Sequence, residues 1–572
     1  MKDNNKGFTL IELLAVVLIM VFILMVAVPS VARLIKENNS RRYGIYHDLI
    51  AEAALAYSST KSDELGGFEG KGCIELDLDD LIKSGYVKKF EDAEISCDTP
   101  TSSSKDKIRI FNNKGEKHVN VSLICEKNGK VVYSELIDKQ GTCVPYAAPV
   151  KNVLVTKLKE VLDSTASLTA TDSNGDRFVI GNTDRNYVYY SGKLWRVVSI
   201  NETTKTVKLI TDEVISTVFY GGNKGIVNSD KDYLNSDIYT WLNSDFLPSL
   251  KDKDTYLEAV NWDYTRVASI TPALPVSPVT QKSQVGLLSP YEYARVMNGT
   301  SSSFLNKDRY WWLLSSKDDA NAWYINSSNV ASSSAKTNFY GVRPVITLKA
   351  NMIFVGTSSG TASLPYKLMG DDPVPNGTYV NTRYSGEYVT FNGAPYRIVE
   401  VNKDYTKIVS DTIINSSQMF DDAYCQLSPE LIIGNYLNST IYGSLTPDSK
   451  ELLTFWDWCV ESVSPVEGIQ GGRCTNIRYL TRANDFKVGL LKAGEMYASS
   501  LNFEYWTMSP VETNNCLSHQ NKKMNVVTTD GRIVQKTYED ELGVRPAYYL
   551  NKDVKISSGT GMSSSRFVLF KG

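Results

Sequence analysis

Histidine is scarce in this chain: three occur in 572 residues, at His47, His118 and His519, without the ligand spacing that zinc sites use. No CxxC pair is present, and neither are HExxH or a glycine-rich phosphate loop. These gaps argue against metal-dependent and nucleotide chemistry, and the chain is expected to be no enzyme and to hold no cofactor and no metal. An excess of either charge is also lacking. Sixty-one basic side chains face 64 acidic ones for a formal charge of -3, which leaves no basic face for nucleic acid and no acidic tail. Cysteine is missing between Cys143 and Cys425. Long apolar runs are lacking everywhere except near the start.

That one run carries the strongest signal. KGFTLIELLAVVLIMVFILMVAVPS, from Lys6 to Ser30, holds 21 residues from Phe8 to Val28 whose only charge is Glu12, enough for a helix to cross the hydrocarbon core of a bilayer. A carboxylate in hydrocarbon costs at least about 2.5 kcal/mol and therefore needs a partner. The small residue Gly7 precedes the apolar run, whereas a secretory signal would place its small-residue cleavage site after it. Lys6-Gly7-Phe8-Thr9-Leu10-Ile11-Glu12, with Pro29 following, resembles the leader of type IV prepilins. The resemblance implies cleavage between Gly7 and Phe8 by a prepilin peptidase, N-methylation of Phe8, and a Glu12 that meets the new N-terminus of a neighbouring subunit in the filament. It places Pro29 where pilin helices bend. Beyond it, Leu34, Ile35, Ile45, Leu49, Ile50, Ala53, Ala54 and Tyr57 recur at threes and fours, predicting one long helix with an apolar stripe.

Cys73 to Phe90 contains a short helical pattern stopped at Gly85, and Lys107 to Leu136 alternates as an antiparallel meander with Asn128-Gly129 at a hairpin turn. A helix followed by such a meander also resembles a pilin head. Even cysteine numbers in each cluster downstream of a membrane-inserting segment suggest extracytoplasmic disulfides among Cys73, Cys97, Cys125 and Cys143, and among Cys425, Cys459, Cys474 and Cys516; the connectivity is not readable.

The remainder repeats itself. YVYYSGKLWRVVSI (from Tyr187) parallels YVTFNGAPYRIVEV (from Tyr388), DYLNSDIYTWL (Asp232) parallels NYLNSTIYGSL (Asn435), VGLLSPYEYA (Val285) parallels VGLLKAGEMY (Val488), and YGVRPVITL (Tyr340) parallels LGVRPAYYL (Leu542). Four blocks in one order predict a duplicated module. The expected fold class is therefore α+β. Its parts would be a leader at 1–7, a pilin helix at 8–61 (8–28 in the membrane before assembly), a β head at 62–148, a linker at 149–177, a first module at 178–368, a linker at 369–380 and a second module at 381–570. The modules resemble a bacterial extracellular domain of unassigned function, distantly similar to the C-type-lectin-like and formylglycine-generating-enzyme-like fold.

Equivalent charged residues fall at Glu292 and Glu495, Arg343 and Arg545, and Arg196 and Arg397. Arginine binds carboxylates bidentately, which allows a ligand clamp. The preferred expectation is structural: ion pairs Glu292–Arg343 and Glu495–Arg545, each fastening a helix to the last strand. Asp172-Ser173-Asn174-Gly175-Asp176 starts like a calcium loop but lacks the later bidentate glutamate, and is expected to be solvated surface, as are Asp77, Asp79 and Asp80. Trp195, Trp241, Trp311, Trp312 and Trp506 offer either core or a contact surface for a glycan.

Together these features suggest a large minor pilin, at the filament tip, whose modules serve adhesion. Its partners would be other pilin subunits, the prepilin peptidase, the membrane before assembly, and a host-surface, glycan or protein ligand, with no nucleic acid. The expected location is the cell membrane, then the extracellular fimbrium. The competing readings are a pseudopilin of a secretion or DNA-uptake machine and a pilus-anchored enzyme.

Overall fold

The computed structural model describes residues 42–58, 71–90, 95–99, 107–113, 116–136, 144–145, 152–165, 168–221, 233–354, 358–368, 374–422, 427–460, 462–463, 480–481, 486–498, 503–511 and 523–572. Gly7, Phe8, Glu12 and Pro29 lie outside them. Among the described residues no helix is long and apolar enough to cross a membrane. The architecture is α+β, and the chain divides into two compact units, 1–149 and 150–572.

In the smaller unit, residues 42–58 are helical. Tyr43, Tyr46, Ile50, Ala53, Ala54 and Tyr57 form its buried face, sharing a core with Ile74, Leu76, Ile108, Ile110, Val121 and Leu123. This corrects the expected stripe: Ile45 and Leu49 are 62% and 50% exposed, because the larger tyrosine rings take the inward positions and pack tilted or edge-on against Phe90 and Tyr86. The short helix runs Leu78–Lys83, and the Asp77 N–H donates to Asp80 at its start. One sheet pairs Glu116–Val121, Ile108–Asn113, Lys71–Leu76 and Val144–Pro145; a second pairs Ile95–Asp98, Leu123–Lys127 and Lys130–Glu135. The Asn128-Gly129 turn has positive φ at both residues, as a tight hairpin needs.

Cys97 and Cys125 are direct partners across two of these strands and form a disulfide. Cys73 and Cys459 sit on strands with side chains outside the described set, and Cys143, Cys425, Cys474 and Cys516 lie outside it altogether.

The larger unit contains two halves, 168–368 and 374–572, built on one strand order. In the first, the main sheet runs Leu257–Glu258, Val345–Leu348, Thr206–Thr211, Lys193–Asn201, Tyr187–Tyr190, Tyr366–Lys367. In the second it runs Leu453–Thr454, Ala547–Asn551, Tyr405–Ser410, Ala394–Val401, Tyr388–Phe391, Phe567–Lys571. Even the register irregularity recurs, between Val197 and Ser199 and between Ile398 and Glu400. The second sheets correspond as well: Ser216–Phe219, Phe339–Val342, Trp311–Ser316, Asn321–Ile325, Ala331–Ala335 against Asn415–Met419, Glu541–Val544, Tyr505–Pro510, Lys523–Val527, Ile533–Thr537.

The halves are not beads on a linker. The expected linker 149–177 supplies the helix Leu154–Ser164, whose Leu154, Val155, Leu158 and Leu162 are buried in the core, and the strand Asn152–Val153, which pairs with Ile353–Phe354. In the expected linker 369–380, Thr378–Tyr379 pairs with the strand Val554–Ser558. Polar contacts bridge the halves. Lys193 Nζ donates to Ser385 O at 2.8 Å and Ser385 Oγ at 2.9 Å, Trp241 Nε1 donates to Gly494 O at 2.9 Å, and Arg397 grips the Glu213 carboxylate. Phe219 packs in a shared cluster with Val463, Tyr505, Val527 and Ile533. Trp195, Trp241, Trp311, Trp312 and Trp506 are all at most 2% exposed and belong to the core.

Candidate functional site

The strand Thr206–Thr211 alternates Val207 and Leu209 into the core with Thr206 and Lys208 on the other face. Opposite it starts the helix Pro290–Met297, which the sequence specifies locally: Ser289 caps the N-terminus, proline occupies the first helical position, and Glu292 completes a capping box. The Ser289 N–H and Oγ both donate to Glu292 Oε2 at 2.9 Å. This holds the carboxylate still and presents Oε1 to the Lys208 ammonium. Burial pulls that ammonium down, but the adjacent carboxylate outweighs it and holds Lys208 above its ordinary value. Trp262 lies 5.4 Å from Lys208 Nζ and backs onto Gly286, where any Cβ would fall 2.4 Å from the indole.

The same set recurs in the second half. Lys407 Nζ binds Glu495 Oε1 at 2.6 Å, Glu495 Oε2 accepts the Lys492 N–H at 2.9 Å, and Trp458 lies 5.3 Å from the lysine and backs onto Gly489. The expected pairs Glu292–Arg343 and Glu495–Arg545 are thereby corrected, because lysines of the third sheet strand take both carboxylates. Both arginines instead latch main-chain carbonyls. Arg343 donates to Thr211 O and Leu305 O, and Arg545 to Ser410 O and Tyr497 O. A buried guanidinium with several aligned acceptors fits this task better than an ammonium would. Arg196 and Arg397 also diverge, the first held by Asn186 and Asp212 and the second by Glu213.

Among the described residues only the first half adds the hairpin Thr169–Thr171 and Asp176–Val179 against the end of the Lys193–Asn201 strand. Its turn is the expected acidic loop. Asp172 Oδ1 accepts the N–H groups of Asn174 and Asp176, each at 2.9 Å, and Oδ2 accepts the Tyr291 hydroxyl at 2.8 Å. This is a self-bonded turn, and among the described residues no group of three or more metal-ligating side chains is assembled. The loop does not simply face solvent, however. It lines a cavity of about 190 Å³ together with the Lys208–Glu292 pair, Trp262, Asp263 and Ser315. Leu274 and Pro275 line its rim. Burial raises the Asp176 carboxyl above its ordinary value.

Ser315 shows what separates the halves. Its counterpart Ser509 accepts the Ala493 N–H at 3.1 Å. The first half has Pro290 in place of Ala493, and proline has no N–H to give. Ser315 is 2% exposed, lines the cavity and has no side-chain hydrogen bond among the described residues. In the second half the sheet face beside Lys407 is filled by aromatics, with Tyr549 4.6 Å from Trp458 and 4.7 Å from Tyr405. Thr347 and Thr206 stand at those strand positions in the first half. Sequence reading missed Lys208, Lys407, Trp262 and Trp458. The signal available was the shared lysine in TVKLIT and YTKIVS, just outside the longer matching blocks.

The class defined by this geometry is an α+β protein whose larger unit holds two like-ordered halves, one of them open at a polar cleft. Comparison with known families adds two matches. Residues 2–28 match the prokaryotic N-terminal methylation motif, which supports a type IV pilin-like or pseudopilin-type prepilin and, in general terms, association with other pilin subunits and a prepilin peptidase and a membrane-anchored, then pilus-associated location. Residues 205–350 match a domain of unknown function, DUF6273, a span that includes Lys208, Trp262, Glu292 and Arg343 but not the acidic hairpin. No curated protein and no solved structure matches the chain.

Proposed function

We propose that this chain is a minor, tip-located subunit of a type IV pilus that presents unit 150–572 outside the cell for surface recognition. Its two halves, on this reading, descend from one duplicated domain, and residues 42–136 serve as a pilin-type helix and head. The supporting observation is the joining of a methylation motif at residues 2–28 to a compact unit that extends from 150 to 572 and carries an open cleft. Filament helices pack side by side, so a unit of this bulk on every subunit would crowd the shaft, while the tip has room. Glu12 would set the docking register, since a shifted helix leaves two opposite charges unpaired in a low-dielectric medium. Immuno-electron microscopy with antibody against unit 150–572 tests the placement. Label at filament ends is expected; regular label along the shaft refutes the minor role, and label confined to the envelope favours a pseudopilin. Mass spectrometry of the purified chain should find an N-methylated Phe8 as its first residue.

A further inference from the structure

The charge lining the cavity of the first half is mostly of one sign. Four carboxylates, Asp172, Asp176, Asp263 and Glu292, line it against one ammonium, Lys208. Glu292 is neutralised by Lys208 and saturated at its second oxygen by Ser289. Asp176 uses one oxygen, for the Asn201 amide at 3.0 Å, and Asp263 uses one, for the Thr265 N–H and hydroxyl. Each therefore keeps an oxygen without a partner among the described residues. Ser315 adds a hydroxyl oxygen that proline has deprived of its donor. Lys208, the cavity's cation, is committed to Glu292. What remains is a lining with excess negative charge, in which the side chains of Asn174, Asn261, Ser269 and Thr271 are neutral, with an apolar lip at Leu274 and Pro275.

That lip is the second part of the pattern. Leu274 is 41% exposed and Val276 fully exposed, and Pro275 lies between them at the cavity mouth. Apolar side chains held in water beside a hole lined with excess negative charge suit a ligand with an aliphatic stem and a donor-only head. A neutral sugar matches less well, because it brings no positive charge to the unspent oxygens of Asp176 and Asp263.

The geometry points to this cleft as a receptor for a lysine or arginine side chain of a polypeptide partner. Asp176, Asp263 and Ser315 would receive the cationic head, and Leu274 and Pro275 would cover its methylenes. The inference rests on the surface-recognition reading and names its ligand. The second half offers no equivalent arrangement among its described residues, since it has no acidic hairpin there and Ser509 is already engaged.

The test uses the full chain purified in detergent and saturation-transfer NMR with four probes: acetyl-Gly-Lys-Gly-amide, its arginine and norleucine counterparts, and methyl β-glucoside. 1,5-Diaminopentane serves as the free-amine arm. The lysine and arginine peptides are expected to bind, with norleucine weaker by about tenfold or more, as loss of a charge-assisted hydrogen bond implies. Asp176→Asn should weaken the lysine peptide by about tenfold and Ser315→Ala by a few-fold. Pro290→Ala, which supplies the missing N–H to Ser315, should match Ser315→Ala while keeping the fold. Asp404→Asn, on an exposed turn of the second half, should change nothing. Equal binding of the norleucine peptide, preference for the glucoside or for the free diamine, or no binding by any probe would overturn the inference. Because the assay needs no filament, its failure is distinguishable from misplacement of the subunit, which the antibody label reads.

Discussion

Substituting alanine for Gly286 adds one methyl group where the structure has no room for it. The new Cβ would lie 2.4, 2.5 and 2.8 Å from Cδ2, Cε3 and Cε2 of Trp262, against an optimal carbon–carbon separation of about 3.5 to 4.0 Å. Relief therefore requires the indole to retreat by about 1 Å. It is not free to do so: Trp262 is 3% exposed, its Nε1 donates to Ser283 O at 2.9 Å, and Lys208 stands at its side. Overpacking of this kind costs about 1 to 3 kcal/mol. Gly286 has no left-handed φ, so the backbone itself favours alanine by about 0.4 to 1 kcal/mol through the unfolded chain. The expected net loss is about 1 to 2 kcal/mol, read as a lowered guanidinium midpoint of the full chain in detergent. Trp262→Leu should relieve the clash, so the double variant should be more stable than the sum of the two single losses by about 1 kcal/mol. Gly489→Ala against Trp458, at 2.3 Å, should behave alike. If Gly286→Ala is neutral or stabilising, or if the double variant is simply additive, the close backing of tryptophan on glycine does not hold this site together.

Glu213→Gln should leave the Arg397 guanidinium buried without its counter-charge. Removing one partner of a buried pair costs about 3 to 5 kcal/mol; with Glu213 41% exposed, solvent replaces part of the loss and about 2 kcal/mol is expected, seen in urea unfolding followed by tryptophan fluorescence. Lys193 gives a pH signature: burial, then the neighbouring Arg397, push its ammonium down to about 7. Between about pH 7 and the ordinary lysine value the unfolded chain holds a proton that the folded chain lacks, so stability relative to Lys193→Met should rise with pH, by on the order of 1 kcal/mol per unit, and be flat below. Removing the Cys97–Cys125 bond, which spans 28 residues, by the double alanine variant should cost about 3 kcal/mol in the melting of the smaller unit.

Much of this architecture is legible in local chemistry. Ser191-Gly192 and Asn392-Gly393 announce hairpin turns, and all four residues have positive φ. Ser289-Pro290-Tyr291-Glu292 announces a helix start. The matching blocks give matching strands because β order follows from where the hairpins and long connections fall. What sequence could not give is the partner of each charge. Glu292 and Arg343 recur together and invite pairing, yet Arg343 points at Thr211 O and Leu305 O, 0% exposed, and the glutamate meets a lysine from another strand. Such choices depend on which face a strand turns inward, and a repeated lysine inside an apolar strand looks like an irregularity until the fold places it. The expected linkers failed for a related reason. Residues 154–162 carry leucine and valine at helical spacing, and residue 149 marks the end of the smaller unit rather than the start of a spacer.

The two halves also explain one another. Both keep lysine, glutamate, tryptophan and the glycine behind it, so that set is fold chemistry and owes nothing to a ligand. The differences concentrate at the next residues outward. Where the first half starts a helix with Pro290, the second has turns at Ala493 to Tyr497, and those turns serve the junction: Gly494 O accepts from Ser216 and Trp241, the Tyr497 N–H donates to Ile215 O at 2.6 Å, and Tyr497 takes a positive φ to do so. A non-glycine residue held there costs on the order of 1 kcal/mol, which the contacts across the junction must offset. One segment cannot both dock against the neighbouring half and line an open cleft. The same stretch of chain has therefore become a fastening in the second half, while in the first it frees Ser315 beside unspent carboxylate oxygens, which is where a ligand-bearing surface would have to lie.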